Sequence, residues 1–218
     1  MAKLPDLGYA KDLIMETIVS TFNKNGQPNA APMGTVMKGN EQIAIKFYDT
    51  SSTLKNLISN KCAVVNITSN IDLFYKTAFK EINPQGTLPR EWFESAKTIN
   101  APKLRLAEAT IEVAVATIKQ IDSEKTETTC NVKFIEAAET LPQAYCRAFP
   151  ATIEAIIHAT RVKVFLAGNE KRKAQAMKLL ETIASCNDVV NHTAPNSHYA
   201  EIMTDLTKLI DSWRNTEE

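Results

Sequence analysis

Between Ile14 and Thr68 four β-favouring runs succeed one another, and two of the gaps between them carry turn chemistry. The first run, Ile14 to Phe22, sets Ile14, Glu16, Ile18, Ser20 and Phe22 on one face and Met15, Thr17, Val19 and Thr21 on the other. Apolar side chains on both faces predict a strand in a small closed barrel with something packed outside it. Asn25-Gly26 and Lys38-Gly39-Asn40 tolerate positive φ angles, so each predicts a hairpin. The second strand then spans Pro28 to Met37, the third Gln42 to Phe47, and the fourth Cys62 to Thr68.

Two features of this stretch bear on ligands. Pro28 and Pro32 bracket the second strand, and proline donates nothing to a ladder, so the strand lies at an edge or a bulge there. Backbone groups from Ala31 to Gly34 left out of the ladder can bond a ligand, and Gly34 lets a flat ring approach; an ordinary bulged edge strand fits the same residues. After the third strand, Asp49-Thr50-Ser51-Ser52-Thr53 offers several caps for a helix running Leu54 to Ser59. A helix N-terminus has free amide donors and partial positive charge, and the hydroxyls and Lys55 add to both. That is what holding a phosphate requires. N-capping alone accounts for such a cluster equally well.

Further on, Asp72 to Phe79 reads as a short helix capped by Asn70 or Asp72, and residues 80–103, with Pro84, Gly86, Pro89 and Pro102, as a long irregular loop. Trp92 and Phe93 either border a pocket or pin that loop to the barrel. Ala107 to Ile121 and Thr126 to Ala137 form a hairpin across Asp122-Ser123-Glu124-Lys125, bringing the strands to six, enough for a small closed barrel. Past Pro142 the apolar period becomes helical. Tyr145, Phe149, Ile153, Ile156, Ile157 and Val164 mark a helix ending near Leu166. Met177, Leu179, Leu180 and Ile183 mark a second over Ala174 to Ala184, and Tyr199, Ile202, Met203, Leu206, Leu209, Ile210 and Trp213 a third capped by Asn196 or Ser197. The expected fold is α+β, mainly β: a barrel domain over 1–140 and an all-helical subdomain over 141–218.

Lys plus Arg and Asp plus Glu are 25 each, which argues against nucleic acid or a membrane surface as partner. No apolar run approaches the roughly 20 residues that cross a bilayer, and Met1 to Asp6 lacks the core of a signal peptide, so a cytoplasmic protein is expected. Cys62, Cys130, Cys146 and Cys186 form no CxxC pair, and His158, His192 and His198 are too dispersed for a metal motif. On the first long helix Arg147, Glu154, His158 and Arg161 are polar amid apolar residues, either an ion-paired exposed face or a source of guanidinium for a phosphate. A His–Glu pair can do acid–base work, but no positioned nucleophile accompanies it.

The segments Gly26-Gln27-Pro28-Asn29-Ala30-Ala31-Pro32-Met33-Gly34, Thr50 to Leu57 and Ala63 to Thr68 resemble the FMN-binding split barrels, which include pyridoxamine-phosphate oxidases and flavin reductases. They are most similar to an archaeal and bacterial branch named as a domain of unknown function. Arg147-Ala148, Ile153-Glu154-Ala155 and Thr160-Arg161 resemble a helix of that branch, and together these stretches cover about a third of the chain.

The resemblance implies a six-stranded, Greek-key split barrel binding FMN at a homodimer interface. Carried over, Ala31, Pro32, Met33, Gly34 and Thr35 lie beside the flavin ring. Thr50, Ser51, Ser52, Thr53 and Lys55 hold the phosphate, with Asn56 a further cofactor-binding candidate beside them, and Asn66 and Thr68 edge the ring or ribityl chain. The arginine-rich clamp and substrate-binding residues of pyridoxamine-phosphate oxidases have no counterpart, so that activity is disfavoured. The expected function is hydride or electron transfer through FMN, from reduced nicotinamide or another flavin to an unidentified acceptor. The alternatives are flavin storage or sensing without turnover, and an interaction protein with an empty barrel.

Overall fold

The computed structural model describes residues 2–9, 14–137 and 147–215. It packs as two units: residues 1–70 with 80–141, and residues 71–79 with 142–218.

The first unit is a closed six-stranded barrel. Its strands are β1 (Ile14–Phe22), β2 (Pro28–Gly39), β3 (Gln42–Tyr48), β4 (Cys62–Ile67), β7 (Ala109–Gln120) and β8 (Lys125–Ala137), and all neighbours run antiparallel in the order β1-β2-β3-β8-β7-β4. The six strands expected from sequence are the six that close. The loop between β4 and β7 is less irregular than expected, because β5 (Phe93–Ser95) and β6 (Pro102–Leu104) pair as a ribbon within it. Phe93 is buried in that ribbon, and the carbonyl of Trp92 accepts the amide of Arg105 at 2.9 Å.

The alternation read from the first strand holds. Met15 and Val19 of β1 join Ile43, Ile45, Phe47, Ala63, Val65, Ile111, Val113 and Cys130 in the barrel core. Leu54 and Leu57 of α1 (Ser52–Asn60) close it, each burial contributing about 1.5–3 kcal/mol. The helix starts where Ser51 caps the amide of Leu54 and stops at Lys61, which takes a left-handed conformation with φ 60°. The lead-in, expected to be irregular, contributes a 3-10 turn over Leu4–Leu7 and places Leu4 and Tyr9 in the same core. Tyr9 hydrogen-bonds Thr35 Oγ1 at 2.7 Å, and burial pushes its hydroxyl up to about 12.

Both early hairpins form, with one correction. Gly26 has positive φ (69°) in a loop that Asn23 organises by accepting the amides of Asn25 and Gln27. Gly39 does not: it pairs with Gln42 beside a bulge in β2 and keeps an ordinary φ.

The second unit comprises α2 (Ile71–Ala78), α3 (Ala148–Leu166), α4 (Glu170–Thr193) and α5 (His198–Asn215). The expected helix start at Tyr145, and Cys146, lie outside the described residues. Helix α4 is longer at both ends than the apolar pattern indicated. Its buried positions, Ala176, Ile183 and Val190, recur every seven residues, and the first is too small to register in a hydrophobic pattern. Two positions expected to be packed are open instead: Val164 is 58% and Met177 52% exposed. Phe79 stacks on Trp213 at 5.7 Å, tying the end of α2 to α5. Among the described residues, no helix is long and apolar enough to cross a membrane.

Candidate functional site

The β1–β2 register pairs Phe22 with Pro28 and Ile18 with Pro32, leaving the whole length of β1 partnered. On its other side β2 meets β3 only from Thr35 onwards. From Pro28 to Gly34, therefore, β2 has one strand neighbour and one open edge among the described residues. Amides alternate sides along a strand. The two prolines are four apart and turn their nitrogens the same way, so a ladder that loses no bond to β1 points both at the open side. By that alternation the N–H groups of Ala30 and Gly34 also face it. The barrel is split here, where the sequence places Ala31, Pro32, Met33, Gly34 and Thr35.

Gly34, where the approach of a ring is expected, also has a packing role. A Cβ there would meet Ile14 Cγ2 at 2.8 Å, so the missing side chain makes room for a neighbouring strand residue. Thr35 faces inward, donating to the Met15 carbonyl at 3.2 Å.

The first turn of α1 adjoins the same edge. Asp49 anchors the approach by accepting from Thr126 Oγ1 at 2.7 Å and Gln120 Nε2 at 2.6 Å. Ser51 Oγ accepts the amide of Leu54 at 3.4 Å, which leaves the amides of Ser52 and Thr53 outside its cap. The hydroxyl cluster then divides. Thr50, Ser52 and Lys55 are exposed, whereas Thr53 and Asn56 turn inward. Asn29 Nδ2 donates to Thr53 Oγ1 at 3.2 Å, fastening β2 to α1, and Asn56 Nδ2 donates to Thr21 Oγ1 at 3.1 Å, fastening β1.

Asn29 has a second partner that sequence reasoning missed. The ammonium of Lys80 donates to Asn29 Oδ1. Burial draws the Lys80 pKa below the ordinary lysine value, and Glu81 offsets only part of that. Lys80 gave no signal because it opens an irregular loop; its place depends on a contact 51 residues away in sequence.

Asn66 and Thr68 have other roles in the barrel unit. Asn66 is fully buried on the outside of β4, donating to the Ile18 carbonyl at 2.8 Å and Ser20 Oγ at 2.9 Å and accepting the Leu104 amide at 2.8 Å. Both ends of its carboxamide are engaged, so it supports the wall of the barrel. Thr68 accepts the amide of Asn70 at 3.0 Å in the turn after β4. Arg147, at the N-cap of α3, and Arg161, within α3, are exposed in the helical unit. Glu154 meets His158 Nε2 at 3.1 Å, an ordinary i,i+4 pair.

A separate hollow of about 250 Å³ on the barrel unit is lined by Glu94, Lys103, Arg105, Glu108, Thr110 and Glu136 among others. Both its cations pair within it, Lys103 reaching Glu136 at 2.6 Å and Glu94 at 3.1 Å, and Arg105 reaching Glu94 at 2.9 Å. No group of three or more potential metal ligands occurs among the described residues.

A closed antiparallel barrel of six strands, opened along one proline-marked edge with a capped helix beside it, is the split-barrel architecture. Residues 15–140 match the family described as protein of unknown function (DUF447) N-terminal domain, and the chain belongs to that family. Among solved structures it is similar to an FMN-bound protein of the same family from Methanosarcina mazei. The two share 24% identity over 94% of this chain and 98% of the other, with a TM-score of 0.75. It is also similar to nitrilotriacetate monooxygenase component B from Bacillus cereus, at 19% identity over 64% of this chain and 78% of the other, TM-score 0.50.

Proposed function

We propose that this protein is an FMN-binding flavoprotein of the oxidoreductase type, with the cofactor seated along the open edge of β2 and its phosphate at the first turn of α1. One observation carries the reading: the Asn29–Thr53 hydrogen bond brings an unpaired strand edge and an incompletely capped helix start together. A phosphorylated, planar cofactor needs both, edge amides for its ring heteroatoms and helix amides for its phosphate. The residues present fit that group. The Ala30 and Gly34 amides face the open side, the Ser52 and Thr53 amides lie outside the Ser51 cap, and the Thr50 and Ser52 hydroxyls are exposed. The FMN-bound relative supports the choice of flavin over other phosphorylated ligands.

Bound FMN would supply the electron-carrying chemistry, while the protein orients the ring and sets its electrostatics. The hydride source in this reading is a reduced nicotinamide or a second flavin, and the assembly is a homodimer with the cofactor groove bordered by both barrels. Arg147 and Arg161 are proposed phosphate ligands whose substitution tests whether the helical unit supplies charge.

Calorimetric titration of the purified chain with FMN and with riboflavin tests the reading. Micromolar or tighter FMN binding with a raised melting temperature supports it; saturating FMN that gives neither heat nor stabilisation overturns it. Anaerobic bleaching of the bound flavin by NADH or NADPH then distinguishes turnover from storage.

A further inference from the structure

We propose that Lys80 selects phosphorylated over unphosphorylated flavin, by placing its ammonium against the cofactor's phosphate at the start of α1. The proposal rests on the flavin reading above and goes beyond it, because no part of that reading requires this residue.

Three observations point to Lys80. Its ammonium is half-buried and donates to the uncharged Asn29 Oδ1, so its hydrogen bond leaves the charge unneutralised. Asn29 in turn donates to Thr53, the second residue of α1, which sets the ammonium one side chain away from the first-turn amides. The lysine is also held in place from behind: its carbonyl accepts from Asn83 N at 3.0 Å and Asn83 Nδ2 at 3.1 Å, and Asn83 is 6% exposed.

Glu81 offsets only part of what burial costs this cation, which leaves a call for a further anion. A phosphate monoester settling on the α1 amides would supply that anion and would meet a donor already oriented. Lys55 differs on both counts. It is exposed on the outer side of α1, its charge is hydrated, and a pair formed there is screened by solvent. Lys80 therefore carries the discrimination between FMN and riboflavin, and Lys55 adds general attraction.

The experiment compares FMN and riboflavin affinities, by flavin fluorescence quenching, for the wild-type chain, Lys80→Gln and Lys80→Arg. The expected result is a loss of roughly 10- to 100-fold in FMN affinity for Lys80→Gln with riboflavin affinity changed less than about threefold. Lys80→Arg, which keeps the charge, should restore most of the preference even where Lys80→Gln folds poorly. If both flavins weaken equally in Lys80→Gln, or if its preference for FMN matches the wild type, the assignment of Lys80 is overturned while the flavin site stands. If the wild type binds FMN no better than riboflavin, the phosphate has no privileged partner and the proposal is likewise overturned. If the wild type binds neither, the flavin reading itself fails.

Discussion

Asn66 Oδ1 accepts the backbone amide of Leu104 across 2.8 Å, and this bond joins the barrel wall to the β5–β6 ribbon. The same side chain donates into β1 at Ile18 and Ser20. Asn66→Ala would leave a buried amide and a buried carbonyl without these partners. Each such group costs about 1–3 kcal/mol, so a loss of about 2–4 kcal/mol is expected, read as a lower urea midpoint. A variant as stable as the wild type would show that the ribbon is held by other contacts.

Glu112 makes a parallel case. Its fully buried carboxylate accepts the Lys97 and Thr98 amides at 2.6 and 2.7 Å and the Thr98 hydroxyl at 2.6 Å. Glu112→Gln keeps the size but turns an NH₂ group towards donors, so roughly 2–3 kcal/mol of stability should be lost. Faster proteolysis near Lys97 should accompany it. Unaltered cleavage there would separate the carboxylate from the order of that turn.

Lys55→Glu should weaken FMN binding by about threefold to tenfold at low salt, with most of the effect gone at 0.5 M NaCl, since an exposed charge acts through solvent. Riboflavin binding should be unaffected. Equal losses for both flavins would move the phosphate away from α1.

Gly34→Ala places a Cβ against Ile14 Cγ2 at 2.8 Å, but Ile14 is 65% exposed and can turn aside. The expected cost is below about 1 kcal/mol, relieved in the double variant with Ile14→Ala. If the flavin ring lies along this edge, Gly34→Val should weaken FMN and riboflavin alike. Normal affinity for both would exclude the ring from Gly34.

Two histidines in the helical unit oppose each other with pH. The hydrogen bond to Glu201, together with Asp72, holds His198 above its ordinary value of 6.5, although its side chain is half exposed. Its contribution is complete below 6.5 and lost as pH rises through the raised value. Burial, with Arg161 adding and Glu154 opposing, holds His158 below 6.5. Its contribution is present above 6.5 and lost as pH falls through the lowered value. Removing the first should expose the second: His198→Gln should lose stability on going from pH 7 to pH 5 more steeply than the wild type. Superimposable melting-temperature profiles would refute this.

The barrel was legible because its signals are local. Strand alternation, the Asn25-Gly26 turn and a helix cap within Asp49 to Thr53 each act within a few residues, and each forms, the cap falling to Ser51. The split edge was legible too, because a proline lacks its donor wherever it sits. What escaped depended on distant partners. Asn66 was expected at a ligand and holds Leu104, 38 residues on; the space beside Gly34 also takes in Ile14, a contact that no local pattern announces. The β5–β6 ribbon was missed because three-residue strands leave almost no period to read. The ends of α4 were missed because its first turn, Glu170 to Lys173, is charged and Val190 is its one buried position past Ala184.

An unpaired strand is a standing hazard, since any extended peptide can zip onto it and seed polymers. Pro28 and Pro32 reduce that hazard where β2 lacks a second strand neighbour, for a second chain laid alongside would meet the donors of Ala30 and Gly34 but a gap at each proline. A small molecule needing only one or two such bonds is not deterred. The two imino acids thus act as a size filter, closing the seam to polypeptide while leaving it open to a compact guest.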